Sequence, residues 1–158
     1  MMLCNKSINE KELFELSKTG KWLYSRKVDG IRAMLHIQNE NIVKSRSGKD
    51  ITNKFPEFRS LKVQLKRCVL DGEICCIKDG KEDFGTTLSR EHTQDRFSSL
   101  MKSKKFPAVF FCFDIVVFNN KDVSNLPLFK RIKLLNSFNQ FNELETDQLI
   151  KLKRSVTD

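Results

Sequence analysis

The sequence predicts an α+β fold made of twisted, mainly antiparallel sheets with flanking helices, and three features indicate it. Residues 22–46 contain short alternating apolar runs, and turns are expected at Asp29-Gly30, Gln38 to Asn41 and Ser47-Gly48, which is typical of an antiparallel meander. Residues 108–118 are apolar except for Asp114, as expected of a strand in the core. Segments with apolar residues at helical spacing alternate with these strands, so helices are expected to pack against the sheets.

The first helix is expected to begin at a capping box. Ser7 and Glu10 have the spacing of such a box, in which each side chain bonds the backbone of the other residue. Leu13 and Leu16 then provide an apolar face, and Gly20 is suited to end the helix. A short helix is therefore predicted before the first strand.

The remaining elements follow from the same two periodicities. In chain order they are a helix from Pro56 through Phe58, Leu61 and Leu65, a strand over 68–77, a helix over 84–100, the strand over 108–118 and a helix from Pro127 to Leu135. Helices and strands are interleaved without repeats or a linker, so residues 1–158 are expected to form one domain.

The charge and the cysteine content narrow the class of protein. The formal net charge is +9, which suits a polyanionic partner such as nucleic acid, although a lysine-rich surface without a partner has the same composition. The five cysteines are an odd number, and there is no apolar leader or membrane-spanning run. We expect a cytoplasmic protein in a reducing environment, with its cysteines buried in strands and no contact with a membrane.

The first motif whose residues could take part in a reaction is K-x-D-G-x-R, formed by Lys27, Asp29, Gly30 and Arg32. If Asp29-Gly30 makes a hairpin turn, the lysine and the arginine project towards a common anion; the alternative is an ordinary hairpin. A lysine nucleophile must lose its proton near neutral pH, which neighbouring cations favour by lowering its pKa. Arg26 and Arg32 flank Lys27 in this way.

Three more segments carry candidate binding residues. Arg46 lies in S-R-x-G, where its guanidinium can hold a phosphate or a ribose hydroxyl, unless the segment is only a polar turn. Glu73 lies in L-D-G-E and can bind a ribose hydroxyl or a divalent cation, unless it only faces solvent. Phe113 precedes Asp114 in F-D-I-V and can stack on a base, unless it only packs in the core.

The order of these motifs is more specific than any one of them. K-x-D-G-x-R, S-R-x-G, L-D-G-E and F-D-I-V, followed by Leu126-Pro127-Leu128 with Arg131 and Leu134-Leu135, resemble the ATP-dependent DNA ligases and, more widely, the covalent nucleotidyltransferases. The resemblance covers nearly the whole chain. It implies the nucleotidyltransferase fold shared by DNA ligases and mRNA capping enzymes, with a nucleotide cleft between the sheets.

The resemblance also implies a reaction. Lys27 would attack the α-phosphate of ATP and form lysyl-AMP, with Asp29 and Gly30 shaping the loop that presents it. The AMP would then pass to a 5′-phosphate so that a nick in double-stranded DNA is sealed. Arginines and Mg²⁺ would stabilise the charge that develops on the phosphate oxygens. We expect the protein to act as a monomer.

The binding roles are implied by the same resemblance. Arg32 would bind the ribose or the phosphates, and Arg46 would contact phosphate or sugar near the reacting end. Glu73 would bind the ribose and the metal ion, and Phe113 would stack on the base.

The sequence departs from the ligase pattern in three places. Ser25 stands where ligases commonly have a glutamate associated with adenine recognition, and no E-G pair follows Glu73. Lys151 and Lys153 imitate a final K-x-K motif but follow Leu135 closely, so we interpret the imitation as chance. We therefore expect an incomplete adenylation domain without an oligonucleotide-binding domain, and its capacity to self-adenylate alone is left open.

Three alternatives remain open from the sequence. A capping guanylyltransferase uses the same lysine chemistry with GTP, and an RNA ligase is a further relative. A module without catalytic activity would bind nucleic acid through its positive charge alone.

Overall fold

The computed structural model describes residues 8–20, 24–25, 27–61, 67–137, 150–152 and 155–156. The chain divides into two compact units, Met1–Lys27 with Lys153–Asp158, and Val28–Leu152. The strands are β1 (Tyr24–Ser25), β2 (Ile31–Ile37), β3 (Ile42–Ser45), β4 (Cys68–Lys78), β5 (Lys81–Asp83), β6 (Ala108–Phe118), β7 (Lys121–Asp122), β8 (Ile150–Leu152) and β9 (Ser155–Val156). The α-helices are α1 (Glu10–Ser17), α2 (Phe84–Glu91), α3 (Arg96–Lys105) and α4 (Leu128–Asn136), and two 3-10 helices cover Thr52–Lys54 and Pro56–Phe58.

The first unit contains α1 and a two-stranded sheet in which β1 and β9 pair antiparallel. The capping box of α1 is formed by Asn9 and Glu12: the Asn9 side chain accepts from the Glu12 backbone N–H at 2.9 Å, and the Glu12 carboxylate accepts from the Asn9 N–H at 3.2 Å. The prediction therefore chose the wrong pair, because Asn9 is an equally good N-cap with a glutamate three residues later. Ser7 lies outside the described residues.

The second unit contains a mainly antiparallel sheet with the strand order β3-β2-β4-β6-β7. β5 also pairs with β4, and β8 pairs with β6 in parallel. The predicted meander is confirmed for the β2–β3 hairpin, but β1 pairs with β9, so the hairpin expected at Asp29-Gly30 is wrong. The predicted fold class, α+β with a mainly antiparallel sheet, is confirmed.

The sheet of the second unit buries apolar residues on both faces. Its main core contains Leu35, Leu70 and Phe110 from the three central strands, together with Leu135 from α4. A smaller cluster is formed by residues that alternate with the main core residues along β4 and β6, so it lies on the other face of the sheet; it includes Cys75. The four cysteines among the described residues are buried thiols outside any disulfide, as predicted. Burial raises the pKa of the Cys75 thiol to about 11, which keeps it protonated at neutral pH.

Two helix predictions were wrong in detail. One short 3-10 helix (Thr52–Lys54) precedes Pro56 and a second (Pro56–Phe58) begins at it, and Phe55 and Phe58 are fully buried with ring centroids 6.4 Å apart. Leu65, at the end of the predicted helix, lies outside the described residues. Phe55 joins the two 3-10 helices, and the Phe58 N–H donates to the Phe55 carbonyl at 3.2 Å, so this tight turn brings both rings into the core. The predicted helix over 84–100 is interrupted before α3 because the Asp95 carboxylate accepts from the Ser98 N–H at 2.6 Å and starts a new helix.

The other strand and helix predictions in the second unit are confirmed, including the strand over 108–118 and the helix that follows Pro127. Within the described part of the chain, the helices are too short and too polar to cross a membrane.

Candidate functional site

A cleft of about 690 Å³ opens in the second unit and is lined by three of the predicted binding residues, Arg32, Arg46 and Glu73. They come from β2, from the turn after β3 and from β4, so separate segments of the chain bring them together. The volume is within the range of small-molecule sites. A second cavity of about 570 Å³ lies near the β2–β3 turn, and none of the predicted site residues lines it.

Arg32 is held in the cleft by Asp71. The Arg32 Nε and Nη2 groups donate to the two Asp71 carboxylate oxygens at 3.0 and 2.8 Å. Only 1% of the Asp71 side chain is exposed, compared with 24% for Arg32. The hydrogen bond to Asp71 raises the pKa of Arg32, so the guanidinium stays charged. Because this bidentate pair orients the fork and uses two of its five N–H groups, Arg32 can still donate to an anion.

Phe113 lies at a β-bulge next to this ion pair. Asp71 pairs with Asp114 and Gly72 pairs with Cys112, so Phe113 is the extra residue of the bulge on β6. A bulge re-aims a side chain relative to a regular strand. The Arg32 guanidinium lies 5.1 Å from the centroid of the Phe113 ring, within the range of a cation–π contact. Phe113 is half-buried. It contacts Arg32, which lines the cleft, but among the described residues Phe113 itself does not line it.

Glu73 pairs with Arg32 across β4 and β2, so the two side chains are on the same face of the sheet. Gly30 allows this arrangement, since a Cβ atom at Gly30 would lie 2.2 Å from the Ile74 carbonyl oxygen and 2.9 Å from Glu73 Cγ. Gly30 does not have a positive φ. The glycine of K-x-D-G is therefore required for a close approach of two backbones, and the turn conformation expected from the sequence is not its role.

Arg46 lies in a tight turn at the rim of the cleft. The Ser45 N–H donates to the Lys49 carbonyl at 2.8 Å, and the Gly48 N–H donates to the Ser45 carbonyl at 2.9 Å. Gly48 has φ +85°, which glycine adopts without strain. The predicted turn at Ser47-Gly48 is confirmed, and it leaves Arg46 and Lys49 exposed beside the cleft.

Lys27 is the last residue of the first unit and is exposed, whereas the cleft is formed within the second unit. Its role as a nucleophile stays a prediction. The residues that follow it are anchored: Val28 is buried, and the Asp29 carbonyl accepts a hydrogen bond from the Cys75 thiol at 3.2 Å. The part of Asp29 in presenting the lysine also stays a prediction.

Asp114 of the F-D-I-V motif has a structural partner. Its carboxylate accepts from Arg131 Nε at 2.7 Å and from Arg131 Nη2 at 2.8 Å, and both side chains are buried. This pair fastens α4 to β6, which explains why an acid is tolerated in an otherwise apolar strand.

The segment with the K-x-K pattern lies beside the F-D-I-V strand. Ile150 pairs with Phe110, Lys151 with Phe111 and Leu152 with Cys112, in parallel. Lys153 lies outside the described residues. The interpretation of this pattern as chance stays a prediction.

Sequence reasoning missed several residues of the cleft, among them Lys49, Lys54 and His92. Lys49 directly follows the S-R-x-G motif, so its proximity to Arg46 was available as a signal. Lys54 and His92 belong to different elements, and both line the cleft only in the folded chain. Among the described residues no group of three or more metal-binding side chains is preformed. Mg²⁺ is commonly held by one or two carboxylates together with substrate phosphates, so Glu73 fits such a site without a preformed cluster.

Comparison with known proteins identifies the family. The model of the ATP dependent DNA ligase domain matches residues 1–156. The chain belongs to this family of ATP-dependent DNA ligase domains. The resemblance read from the motif order is thereby confirmed, and the DNA ligase prediction is favoured over a capping guanylyltransferase.

The individual matches agree with this family. The DNA ligases of Saccharolobus shibatae and Saccharolobus solfataricus are 28% and 27% identical over 149 residues, covering 90% of this chain and 24% of each relative. The chain thus spans about a quarter of the length of these curated relatives. Mycobacterial DNA ligase D complexed with ATP and MES has a TM-score of 0.62 at 20% identity and covers 84% of this chain and 39% of its own. The ligase domain of M. tuberculosis LigD has a TM-score of 0.63 at 20% identity and covers 86% and 40%. These structures share the fold.

Proposed function

We propose that this chain is the ATP-binding part of a DNA ligase and that Lys27 is its nucleophile. The observation that supports the proposal best is the convergence of Arg32, Arg46 and Glu73, from three separate motifs, on one cleft of the second unit. The family match supports ATP as the nucleotide, and so does the ATP bound to the similar mycobacterial DNA ligase D.

The first step forms lysyl-AMP. The unprotonated Lys27 amine attacks the α-phosphorus of ATP, a nitrogen–phosphorus bond forms, and the bond to the bridging oxygen breaks so that pyrophosphate leaves. The amine loses its second proton to water or to the pyrophosphate. Arg32 and Arg46 donate to the phosphate or ribose oxygens and offset the negative charge that develops there.

The remaining residues would hold the nucleoside. Glu73 would accept from the ribose hydroxyls and would help hold the metal ion, and Phe113 would stack on the base. Mg²⁺, when bound, neutralises phosphate charge and favours departure of pyrophosphate. Asp71 keeps the Arg32 fork in its orientation.

The AMP is then passed to DNA. An oxygen of the 5′-phosphate at a nick attacks the phosphorus of lysyl-AMP, and the nitrogen–phosphorus bond breaks, which returns Lys27. The 3′-hydroxyl next attacks the adenylated 5′-phosphate and releases AMP, and the nick is sealed. We propose that nicked double-stranded DNA is the partner and that the protein acts as a monomer in a reducing compartment, where the four buried thiols of the described residues stay reduced.

The test is transfer of label from ATP to the protein. The chain is incubated with Mg²⁺ and ATP labelled on the α-phosphate, denatured, and analysed for bound label and for the mass of AMP on the peptide that contains Lys27. We expect Lys27→Arg to abolish labelling, because the arginine keeps the charge but is not a nucleophile. Lys18→Arg changes an exposed lysine on the first unit and is the matched control.

The outcome separates the alternatives. Labelling from GTP in place of ATP would favour the capping guanylyltransferase. No label from either nucleotide, together with salt-dependent binding of nicked duplex, would favour a binding module without catalysis. Label that persists in Lys27→Arg would exclude Lys27 as the nucleophile.

A further inference from the structure

Lys54 lies on the wall of the cleft that faces the chain between α2 and α3. Its side chain donates to the Thr93 carbonyl oxygen, and Lys54 lines the same cleft as Arg32 and Arg46. Lys54 was not predicted to have a role. An ammonium group has three donors, so the bond to Thr93 leaves two of them for a ligand.

The charge of the cleft favours an anion as that ligand. Four lysine and arginine side chains line it (Arg32, Arg46, Lys49 and Lys54), compared with two glutamates (Glu73 and Glu91). A lysine near the C-terminal end of a helix is also stabilised by the helix carbonyls, so the contact with Thr93 after α2 is explained without a ligand.

Lys54 is fixed in place by a buried ion pair behind the cleft. The Arg90 side chain is 1% exposed, and its Nη1 and Nη2 groups donate to the two Glu57 carboxylate oxygens at 2.6 and 2.8 Å. Arg90 Nη2 also donates to the Lys54 carbonyl at 3.0 Å. Glu57 in turn accepts from the Ala108 N–H of the core strand β6 at 3.0 Å.

These bonds form a closed ring that includes Lys54 at two points. Arg90 binds the Lys54 backbone, the Lys54 ammonium binds the Thr93 carbonyl, and the Thr93 N–H donates to the Arg90 carbonyl at 3.1 Å. The Arg90 guanidinium also lies 4.8 Å from the centroid of the Phe55 ring, next to Lys54 in sequence. A side chain held at both ends loses little entropy when it binds, which is a property of preorganised sites.

We propose that Lys54 binds a phosphate group in the cleft and that the buried Arg90–Glu57 pair positions it. The proposal rests on the proposed function, in that the cleft is the nucleotide site. The phosphate belongs either to the triphosphate of ATP or to the 5′-phosphate of a nick, and both present the same oxygen atoms to an ammonium.

The first experiment compares Lys54→Met with Lys54→Arg and with the control Lys104→Met, which changes an exposed lysine of α3. Affinities for inorganic tripolyphosphate, adenosine and duplexes with a 5′-phosphate or a 5′-hydroxyl at the nick are measured by titration calorimetry. We expect Lys54→Met to weaken tripolyphosphate or 5′-phosphate binding by about 10-fold to 100-fold, the usual range for a hydrogen bond to a charged group. Lys54→Arg retains most of the affinity, and adenosine binds equally to all variants.

The second experiment tests the positioning role with Arg90→Lys. A lysine keeps the charge beside Glu57 but lacks the second nitrogen that reaches the Lys54 carbonyl. We expect weaker phosphate binding with unchanged adenosine binding, a difference that a general loss of structure would not produce. If Arg90→Lys does not fold, the comparison of Lys54→Met with Lys54→Arg still decides whether Lys54 binds phosphate.

The outcomes distinguish this inference from the proposed function. Equal binding of tripolyphosphate and of both duplexes by wild type and Lys54→Met would overturn the inference, whatever the labelling of Lys27 shows. Failure of the wild type to bind any phosphate probe would overturn it as well. Phosphate binding that depends on Lys54, in a protein that forms no adduct with ATP, would support the inference and count against lysyl-AMP formation by this chain.

Discussion

Replacement of Gly30 by alanine should destabilise the second unit because the added methyl group meets backbone. The new Cβ would lie 2.2 Å from the Ile74 carbonyl oxygen, about 1 Å closer than the roughly 3.3 Å at which carbon and carbonyl oxygen normally touch. Ile31 pairs with Ile74 next to this contact, so relief requires separation of β2 from β4. Glu73 Cγ, at 2.9 Å, adds a second clash.

The expected cost is at the upper end of the range for overpacked sites, about 3 kcal/mol. For a chain of this size each kcal/mol lowers the melting temperature by about 2–4 °C, so a fall of about 6–12 °C is expected. Circular dichroism during thermal and urea unfolding measures the stability, and titration calorimetry measures the affinity for ATP. The affinity should also fall, because Glu73 and Arg32 line the cleft beside the displaced strand.

Gly85→Ala provides the matched control. The nearest atom to a Cβ at Gly85 is Asp83 Oδ1 at 3.7 Å, which is an ordinary contact, and Gly85 lies within α2. Alanine is a better helix former than glycine, so this variant should be neutral or up to about 1 kcal/mol more stable. If Gly30→Ala were as stable as Gly85→Ala and bound ATP normally, the close approach of the two backbones would be refuted as the reason for the glycine.

Three further predictions concern buried groups. Asp114→Asn should lower the free energy of unfolding by about 3–5 kcal/mol in urea denaturation, because it leaves the buried Arg131 without its charge partner, whereas the exposed control Asp122→Asn should have little effect. Cys75 has a pKa raised to about 11 by burial, so iodoacetamide at pH 8 should alkylate it only after unfolding; rapid labelling of the native protein, detected by peptide mass mapping, would contradict this. Burial and Lys44 lower the pKa of His36 below that of the unfolded chain, so the unfolded state takes up the proton first and stability should decrease as the pH falls through about 6.5. His36→Gln should reduce the difference between urea midpoints at pH 7.5 and pH 5.5, and an unchanged difference would count against the assignment.

The predictions from sequence succeeded where the signal is local. The strand over 108–118 is a continuous apolar run, and the turn at Gly48 follows from a residue that tolerates positive φ. They failed where two local solutions competed. Asn9 and Ser7 are both suitable N-caps, and the chain uses Asn9. The segment that begins at Pro56 has apolar residues at helical spacing, but it forms a 3-10 helix in which Phe58 is buried.

The candidate site was predictable where its residues belong to short local motifs. Arg32, Arg46 and Glu73 belong to short motifs whose order identifies the family, and the cleft contains all three. Lys54 and His92 were given no role from the sequence, and 38 positions separate them along the chain. Their proximity depends on how the 3-10 helices pack beside α2, which no periodicity in the sequence encodes.

The sequence by itself determined the order of the motifs, the family to which the chain belongs, and most of the strands, because each depends on residues close together in the chain. Only the tertiary structure decided which charges meet. Arg32 and Asp71 are 39 residues apart, and their pairing depends on the register between β2 and β4. The bulge at Phe113 depends in the same way on the register between β4 and β6. A shift of one residue would turn these side chains to the opposite face of the sheet, and the packing of the whole core selects the register.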